Sequence, residues 1–286
     1  MTSPAPYGIV GIAAADLRRS PRHESELRRQ LLLGEVVRIS GAAVGGQWLR
    51  VAGLEDGYSG WMRSWGLLPA GARAAASWQD RARARISVLV EPVISADSER
   101  RAMLPAFLGA RLEAGKSRAG RIVIRLPDGR RGMVSRLALR LPRDRRAGLI
   151  PRLESLIGVP YLWGGRTCAG LDCSGFTQLV LAEQGIALPR DAREQFRSAL
   201  PLRAGERTLT GDLVFFGRAG EPVSHVGIML TESTYVHCRG SVRMASLDPD
   251  SPLSEKELIA QVRGVRRPSG AHLIRGHGRA RRGKSP

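Results

Sequence analysis

Residues 161–181 read YLWGGRTCAGLDCSGFTQLVL, and this stretch determines how the second half of the chain is interpreted. A Gly-rich loop runs to Asp172, and the apolar residues after it recur at helical spacing, which predicts a helix over about 174–184. Cys173 lies where the loop meets the helix. The unpaired N–H groups and the positive dipole end of a helix start favour a thiolate, so this position suits a cysteine nucleophile. The alternative interpretation is an inert, buried cysteine.

Two histidines further along have the chemistry that such a nucleophile needs, namely a general base and a group that orients the base. His225 lies in the apolar strand VSHVGIML and His237 in the next strand, TYVHCRG. The two positions are symmetric about Thr231, in a polar turn, and a hairpin centred there places the imidazoles opposite each other. Cys173, His225 and His237 are therefore predicted to form a catalytic triad. Either histidine taken alone would be interpreted as an ordinary strand residue.

A zinc site is the competing interpretation of these cysteines and histidines. The chain has three cysteines, Cys168, Cys173 and Cys238, and it contains no CxxC or HxxxH spacing. Cys238 should also point away from His237, because neighbouring residues on a strand alternate between its faces. We therefore expect no metal and no cofactor. We also expect Cys168 and Cys238 to be two buried free thiols rather than a disulfide.

The elements around Cys173 predict an α+β domain. A helix over about 147–157 precedes the Cys173 loop, and all the strands follow the second helix. Helices first and an antiparallel sheet second is an α+β layout with the helices packed on the sheet. The predicted strands are Asp212–Phe216, Val223–Leu230, Thr234–Arg239 and Val262–Arg267.

The first half of the chain has the pattern of short strands and turns. Asp56-Gly57 and Asp128-Gly129 are hairpin turn signals, and they occur in two segments of similar layout. Short strands at this spacing predict two small β-barrels. The predicted divisions are a first barrel domain at 1–70, a divergent second one at 71–141 that begins with a linker over Ala70–Ala84, the α+β domain at 142–268, and a basic, disordered tail at 269–286.

The charge of the chain first suggests a polyanionic partner. The 286 residues carry 45 Lys+Arg against 26 Asp+Glu, a formal net charge of +19, and clustered basic residues are typical of proteins that bind nucleic acid. However, the sequence contains no motif that reads DNA or RNA, and aromatic residues make up only 5% of it. We therefore interpret most of the arginine excess as a solvated surface and expect no nucleic-acid partner.

Two further features bear on where the protein acts. No apolar run approaches the roughly 18 residues of a membrane-spanning helix, so no membrane partner is expected. The first residues, MTSPAPYGIVGIAAADLRRS, lack the basic region that begins a signal peptide. We expect a cytoplasmic protein, or an exported one if the natural start lies upstream.

The motifs occur in an order that resembles a known family. The 161–181 stretch is followed by LPRDAREQ, GDLVFF, SHVGIML and YVH, and this ordered set over about 147–268 is similar to the NlpC family of papain-like cell-wall cysteine peptidases. The resemblance implies that Cys173 is the nucleophile, His225 the general base and His237 the third member of the triad. It also implies that Tyr161 lies beside the thiolate and, with the backbone N–H of Cys173, stabilises the oxyanion.

The first segment resembles a bacterial SH3-like domain, on the residues ADLRRSPRHESELRRQLLLGEVVRI, WLRV and EDGYSGWM. Two such modules before an NlpC-type domain resemble a subgroup, the γ-D-glutamyl-L-diamino acid endopeptidases of the dipeptidyl-peptidase VI type, although the second module matches poorly. In that subgroup the first module closes one end of the cleft. The resemblance implies substrate-binding roles for Glu26, Tyr58, Trp163, Asp172 and Ser174.

Within that set, Glu26, Asp172 and Ser174 would hold the amino end of the substrate, and Trp163 would form a wall of the pocket. The two carboxylates suit this role, since a buried ammonium needs carboxylate partners. Glu24 is a near competitor of Glu26, and without the resemblance Glu26 would be interpreted as a surface carboxylate. Tyr58 would likewise be interpreted as barrel core. Ala192 stands where relatives often have Ser, which leaves one polar contact of the pocket unsupported.

The resemblance implies a peptidase of murein peptide recycling. Its reaction would be hydrolysis of the γ-D-glutamyl–L-diamino acid bond in free murein peptides with an unblocked N-terminal L-Ala, through a thioester acyl-enzyme. One alternative is an exported hydrolase of cross-linked cell wall, anchored by its SH3-like modules. The other is a catalytically inactive basic protein that binds wall polymer or nucleic acid, and the intact set of Cys173, His225 and His237 argues against it.

Overall fold

The computed structural model describes residues 5–98, 101–144 and 146–270. The chain divides into two compact units, and the division does not follow sequence order. The first unit combines Met1–Arg145 with Val159–Asp172, and the second combines Arg146–Gly158 with Cys173–Pro286. From residue 271 onward, the basic tail predicted from the sequence lies outside the described residues.

The first unit contains two antiparallel sheets of seven strands each, and each sheet wraps around its own apolar core. The first sheet consists of β1 (Tyr7–Val10), β2 (Ala14–Arg18), β3 (Leu27–Leu32), β4 (Val36–Ala43), β5 (Trp48–Gly53), β6 (Ser59–Arg63) and β7 (Leu67–Ala70). The second consists of β8 (Ala84–Ile86), β9 (Val90–Ser95), β10 (Ala102–Phe107), β11 (Arg111–Arg118), β12 (Arg121–Arg125), β13 (Arg131–Ser135) and β14 (Leu139–Arg140). The strand orders are β3-β2-β6-β5-β4-β1-β7 and β10-β9-β13-β12-β11-β8-β14.

Both predicted hairpin turns are present in these sheets. Gly57 and Gly129 have φ angles of 68° and 86°, in the left-handed region that favours glycine, and each joins two paired strands. The segment expected to be a plain linker is instead a helix, α1 (Ala72–Arg81). Its alanines favour a helix, and the indole of Trp78 is buried and donates to the Gly34 carbonyl at 2.8 Å. The linker is thus a packed element of the first unit.

The remaining part of the first unit is the loop 159–172, which carries the short strands β15 (Arg166–Thr167) and β16 (Gly170–Leu171). These two strands pair with each other. The loop also packs on β3 of the first sheet, where the Arg166 N–H donates to the Gln30 side chain at 3.1 Å.

The second unit has helices on an antiparallel sheet of six strands, which confirms the α+β class predicted from the sequence. In chain order its helices are α2 (Leu149–Leu156), α3 (Cys173–Glu183), α4 (Ala192–Ser198) and α5 (Lys256–Ile259). The strands, in sheet order, are β17 (Leu200–Pro201), β22 (Val262–Arg267), β18 (Leu213–Phe216), β19 (His225–Met229), β20 (Thr234–Arg239) and β21 (Ser241–Ser246).

Helix α3 lies at the centre of this unit. It packs against β19 and β20, and every residue from Cys173 to Leu181 is buried. A helix that is apolar almost all round is expected to be surrounded by protein. The burial of α3 therefore fixes its first residue, Cys173, relative to the sheet. Across the described residues, no helix combines the length and apolar character needed to span a membrane.

Candidate active site

Cys173 is the first residue of α3, as its position at the loop–helix junction predicted. The thiol is buried, and its Sγ lies 3.9 Å from the carbonyl oxygen of Ser224. Ser224 directly precedes His225, the first residue of β19. The packing of α3 on β19 thus brings the thiol to the start of the strand that carries the first predicted histidine.

The two histidines contact each other, but the hairpin register differs from the predicted one. Gly227, not His225, is the direct partner of His237, so the hairpin is centred on Glu232 rather than Thr231. The turn explains the shift, because the Thr231 hydroxyl accepts the N–H groups of Ser233 and Thr234 at 3.3 and 3.0 Å. The shift of two residues keeps both imidazoles on one face, as diagonal rather than direct neighbours.

The diagonal placement produces a direct hydrogen bond between the rings. His225 Nε2 lies 2.8 Å from His237 Nδ1, and the ring planes are inclined by 78°. His237 is fully buried, between His225 and the ring of Tyr235. One imidazole therefore holds the plane of the other, which is the orienting role that a general base requires.

A carboxylate that the sequence did not single out completes the chain of contacts. Glu255 Oε1 lies 3.2 Å from His237 Nε2. The same carboxylate accepts hydrogen bonds from Arg243, at 2.7 Å from Nη2, and from Arg239, at 3.0 Å from Nη1. Glu255 follows His237 by 18 residues and precedes α5, and no spacing rule in the sequence distinguishes it from the nearby Glu257.

Both imidazoles are held in the neutral form. Burial and the neighbouring His237 lower the pKa of His225 to about 3. Burial also lowers the pKa of His237 to about 4, because the attraction of Glu255 is opposed by Arg243. A neutral imidazole has one nitrogen free to accept a proton, so the pair can act as a base at neutral pH.

Ser174, the predicted substrate-binding residue beside the nucleophile, has its side chain in a buried polar cluster. Its hydroxyl accepts a hydrogen bond from Arg190 Nη1 at 2.9 Å, and its carbonyl accepts one from Gln195 Nε2 at 3.0 Å. Gln195 also accepts from the Thr177 hydroxyl at 2.8 Å. These contacts tie α3 to α4, which begins at the buried Ala192.

The other predicted substrate-binding residues lie in the first unit. The indole N–H of Trp163 donates to Glu26 Oε1 at 3.1 Å, so the structure brings these two together. Trp163 is 61% exposed, and Glu26 is exposed as well. Glu26 also pairs with Arg19 at 3.6 Å. An ion pair at the surface is weak, so the Glu26 carboxylate can exchange Arg19 for a cation that binds it more tightly.

Three further predicted residues are also placed within this unit. Asp172 is buried and accepts the Gly164 N–H at 2.8 Å through Oδ2, which shapes the loop. Tyr161 forms an isolated bridge with Leu171 in the same loop. Tyr58 is half-buried on the core of the first sheet, with the Arg28 guanidinium 4.7 Å above its ring.

The loop 159–172 carries one more group that the sequence did not reveal, Arg166. Its guanidinium is buried and donates to Glu35 Oε1 at 2.7 Å, while Arg29 lies 3.6 Å from Glu35 Oε2. Burial alone would raise the pKa of Glu35, but the charges of Arg166 and Arg29 outweigh it and lower the pKa to about 2. The loop is therefore fastened to the first sheet by an internal ion pair.

None of the three cysteines forms a disulfide. Cys238 is buried, as expected, but Cys168 is half-exposed, which corrects the prediction that both would be buried. Within the described ranges, no group of three or more His, Cys, Asp or Glu side chains is arranged to hold a metal ion.

Comparisons with known proteins agree with this architecture. A model of the NlpC/P60 family matches residues 158–263, and a model described as the bacterial dipeptidyl-peptidase Sh3 domain matches residues 17–67. A crystal structure of an NlpC/P60 family protein from Bacillus cereus superimposes with a TM-score of 0.79 over 92% of this chain and 99% of that chain. The sequence identity is 22%, so this likeness shows the fold.

Curated relatives cover both parts of the chain. The gamma-D-glutamyl-L-lysine dipeptidyl-peptidase of Bacillus cereus is 26% identical over 262 residues, which span 85% of this chain and 75% of that protein. The probable endopeptidase NlpC of Escherichia coli is 39% identical over 106 residues, which span 36% of this chain and 68% of that protein. With its α+β fold and the ordered motifs around Cys173, the chain therefore belongs to the NlpC/P60 family of cell-wall peptidases.

Proposed function

We propose that this peptidase is a cysteine endopeptidase that hydrolyses the γ-D-glutamyl–L-diamino acid bond of free murein peptides. The observation that carries the proposal is the buried chain of contacts in the second unit. It runs from His225 through His237 to Glu255, and the thiol of Cys173 lies at the start of the His225 strand. Such an arrangement provides a nucleophile, a base and groups that orient the base.

The reaction follows from these groups. His225 takes the thiol proton of Cys173, and the thiolate attacks the γ-carbonyl carbon of the D-Glu residue. The C–N bond then breaks, and the amine of the diamino acid leaves with the proton from His225. Water then gives a proton to His225 and attacks the thioester carbon. The C–S bond breaks, Cys173 recovers its proton from His225, and L-Ala-γ-D-Glu is released. In this proposal Tyr161 and the backbone N–H of Cys173 stabilise the oxyanion, and such donors contribute about 2.7–4 kcal/mol each.

Two features support the finer specificity. The Sh3 domain matched at residues 17–67 is named for bacterial dipeptidyl-peptidases, and the relative that spans 85% of the chain is named for a γ-D-glutamyl bond. The first unit also presents two carboxylates, Glu26 and Asp172, of the type that a free substrate amine needs. We propose that these carboxylates and Ser174 hold the amino end of L-Ala, and that Trp163 and Tyr58 line the pocket for the dipeptide.

The first test is the substitution Cys173→Ala. It should abolish turnover of L-Ala-γ-D-Glu-diaminopimelate, with loss of the L-Ala-γ-D-Glu product in mass spectrometry, because the thioester cannot form. Cys238→Ala is the matched control, since it removes a buried thiol from β20, a strand against which α3 packs. Undiminished turnover by the Cys173 variant would contradict the proposed mechanism.

The second test concerns the amino end of the substrate. Acetylating the L-Ala amine removes its charge, so kcat/KM should fall for the wild-type protein but change much less for a Glu26→Gln variant, which has already lost one amine partner. An equal rate on free and acetylated peptides would remove Glu26 and Asp172 from the proposal.

We also propose that the enzyme acts in the cytoplasm on free peptides. A higher activity on intact sacculi would favour the exported hydrolase instead.

A further inference from the structure

We infer that Glu255 is a positioning residue that acts through His237 and fixes the tautomers of both histidines, so that His225 presents an unprotonated Nδ1 as the base. The inference rests on the proposed role of His225, but it concerns proton positions that can be measured without any substrate. It follows from three consecutive contacts in the second unit.

The first contact determines the proton of His237. An ionised carboxylate only accepts hydrogen bonds, and Glu255 Oε1 lies 3.2 Å from His237 Nε2. The proton of a neutral His237 must therefore be on Nε2, where it donates to Glu255. His237 Nδ1 is left without a proton and accepts.

The second contact passes this assignment to His225. His237 Nδ1 lies 2.8 Å from His225 Nε2, and an acceptor at His237 requires a donor at His225. A neutral His225 consequently carries its proton on Nε2 and has its lone pair on Nδ1. With the opposite tautomers, Glu255 would face an unprotonated nitrogen, and two acceptors would oppose each other.

The arginines keep Glu255 in its accepting form. Burial would raise the pKa of Glu255, but the hydrogen bonds from Arg243 and Arg239 lower it instead. Arg243 donates through Nε and Nη2 at 2.9 and 2.7 Å, and Arg239 donates through Nη1 at 3.0 Å. These charge-assisted bonds also fix the direction of the carboxylate.

The same arginines limit what Glu255 can do for charge. With two guanidinium groups on one carboxylate, little negative charge remains to stabilise an imidazolium, and His237 keeps a pKa of about 4, because burial opposes its charge. The other groups facing His237 are the Tyr235 ring at 5.1 Å and the His225 ring at 5.1 Å. Glu255 therefore orients a neutral pair rather than storing charge on it.

The backbone of Glu255 is also held by hydrogen bonds. Its carbonyl accepts the N–H groups of Leu258 and Ile259 at 2.9 and 3.0 Å, at the start of α5. Leu258 is buried in the apolar cluster that includes Tyr235 and Met229. The position of the carboxylate is thus set by the core of the second unit.

The direct test is a ¹⁵N-resolved NMR spectrum of the histidine rings in the wild-type protein at pH 7. The chain has five histidines, so assignment through single substitutions is practical. We expect both His225 and His237 as the Nε2–H tautomer. An Nδ1–H tautomer at either ring overturns the inference, whatever the substrate proves to be.

The variant test uses Glu255→Gln, with Glu257→Gln as the matched control. A Gln amide both donates and accepts, so the tautomer of His237 should become mixed and kcat should fall by about 10- to 100-fold with little change in KM. Glu257 lies two residues away, pairs with Arg239 at 3.0 Å and is 78% exposed, so its variant should keep both the tautomers and kcat. Unchanged tautomers and kcat in the Glu255 variant would also overturn the inference.

These readouts separate the inference from the proposed function. If the wild-type protein has the expected tautomers but releases no L-Ala-γ-D-Glu, the positioning role holds and the substrate assignment fails. If it cleaves the peptide but the histidines have the other tautomers, the substrate assignment holds and the positioning role of Glu255 fails. Glu255→Asp keeps the charge and should restore part of kcat, which a loss of folding at α5 would not allow.

Discussion

Single buried side chains account for the chemistry of the candidate site, and they also tie its stability to pH. His225 and His237 have their pKa values lowered to about 3 and about 4, from an ordinary value of 6.5, chiefly by burial. In the unfolded chain both rings take up a proton below pH 6.5. The unfolded state therefore binds more protons in this range, and the folded state loses stability as the pH falls.

We expect the free energy of unfolding to decrease from pH 6.5 to pH 5, where few carboxylates titrate. Denaturant unfolding at pH values between 7.5 and 5 measures this slope. The variant His237→Gln removes one of the two groups, so its slope should be shallower than that of the wild-type protein. A slope that is the same in both would mean that His237 does not contribute to it.

At the level of elements, the β19–β20 hairpin depends on a glycine opposite His237. A Cβ at position 227 would lie 2.9 Å from Tyr235 Cδ2, 3.0 Å from the Val236 carbonyl and 3.2 Å from His237 Cβ. Gly227→Ala should therefore displace His237 from its contact with His225. We expect a loss of about 1–3 kcal/mol in unfolding free energy, as for other overpacked cores, together with a lower kcat.

Gly41→Ala is the control for this prediction, since Gly41 also lies within a strand but a Cβ there would meet only Arg50 Cβ, at 3.7 Å. Thermal unfolding and steady-state kinetics of the two variants should differ clearly. If Gly227→Ala kept the wild-type kcat, the spacing between β19 and β20 would not limit the histidine pair.

The elements show where sequence reasoning works in this protein. Apolar spacing predicts α2, α3 and strands β18, β19, β20 and β22 close to their observed bounds, because each has one dominant period and a clear turn signal. Helix α4 and strand β21 were not predicted from RDAREQFRS and SVRMAS, because polar and small residues dominate both segments.

The candidate site was predictable to the same extent. The helix-start position of Cys173 and the shared face of the two histidines follow from period and spacing alone. The hairpin register does not, because the Thr231 hydroxyl decides the turn through hydrogen bonds that no count of residues reveals. Glu255 could not be predicted either, since its distance from His237 depends on how the chain returns through β21 and α5.

At the scale of the whole molecule, the structure gives some of the arginines an internal role. The sequence suggested a solvated surface, yet Arg29, Arg152, Arg166 and Arg190 are all at most 6% exposed. Each serves an internal contact, for example the pair of Arg152 with Glu183 at 3.5 Å. Part of the positive charge is therefore structural.

The structural role of buried arginines can be tested in the first unit, at the cluster around Glu35. Arg166 from the loop 159–172 and Arg29 from β3 converge on this one buried carboxylate. Glu35→Gln would remove the paired carboxylate of Arg166, while Arg29 would keep its pair with Asp56. Breaking a buried pair by removing one partner costs about 3–5 kcal/mol. We expect a correspondingly lower stability of the first unit in denaturant unfolding.

Glu113→Gln provides the comparison, because Glu113 pairs with the half-exposed Arg81 at 3.0 Å. Loss of this pair should lower the free energy of unfolding by less than about 1 kcal/mol. The pH dependence adds a second readout. The contribution of Glu35 is complete above its unfolded pKa of 4.5 and is lost as the pH falls toward its folded pKa of about 2. Equal stabilities of the two variants would show that the cluster is not a fastening point.

The short turn of the β19–β20 hairpin also restricts how this family member can change its length in evolution. Side chains alternate along a strand, so a single-residue change between Met229 and Tyr235, with the turn geometry kept, would turn His237 away from His225. A deletion would put Cys238 in its place opposite Gly227, and an insertion would put Val236 there. A change of two residues would keep an imidazole on that face. The turn therefore constrains the parity of any length change: an even change keeps His237 on the same face as His225, and an odd change turns it to the opposite face.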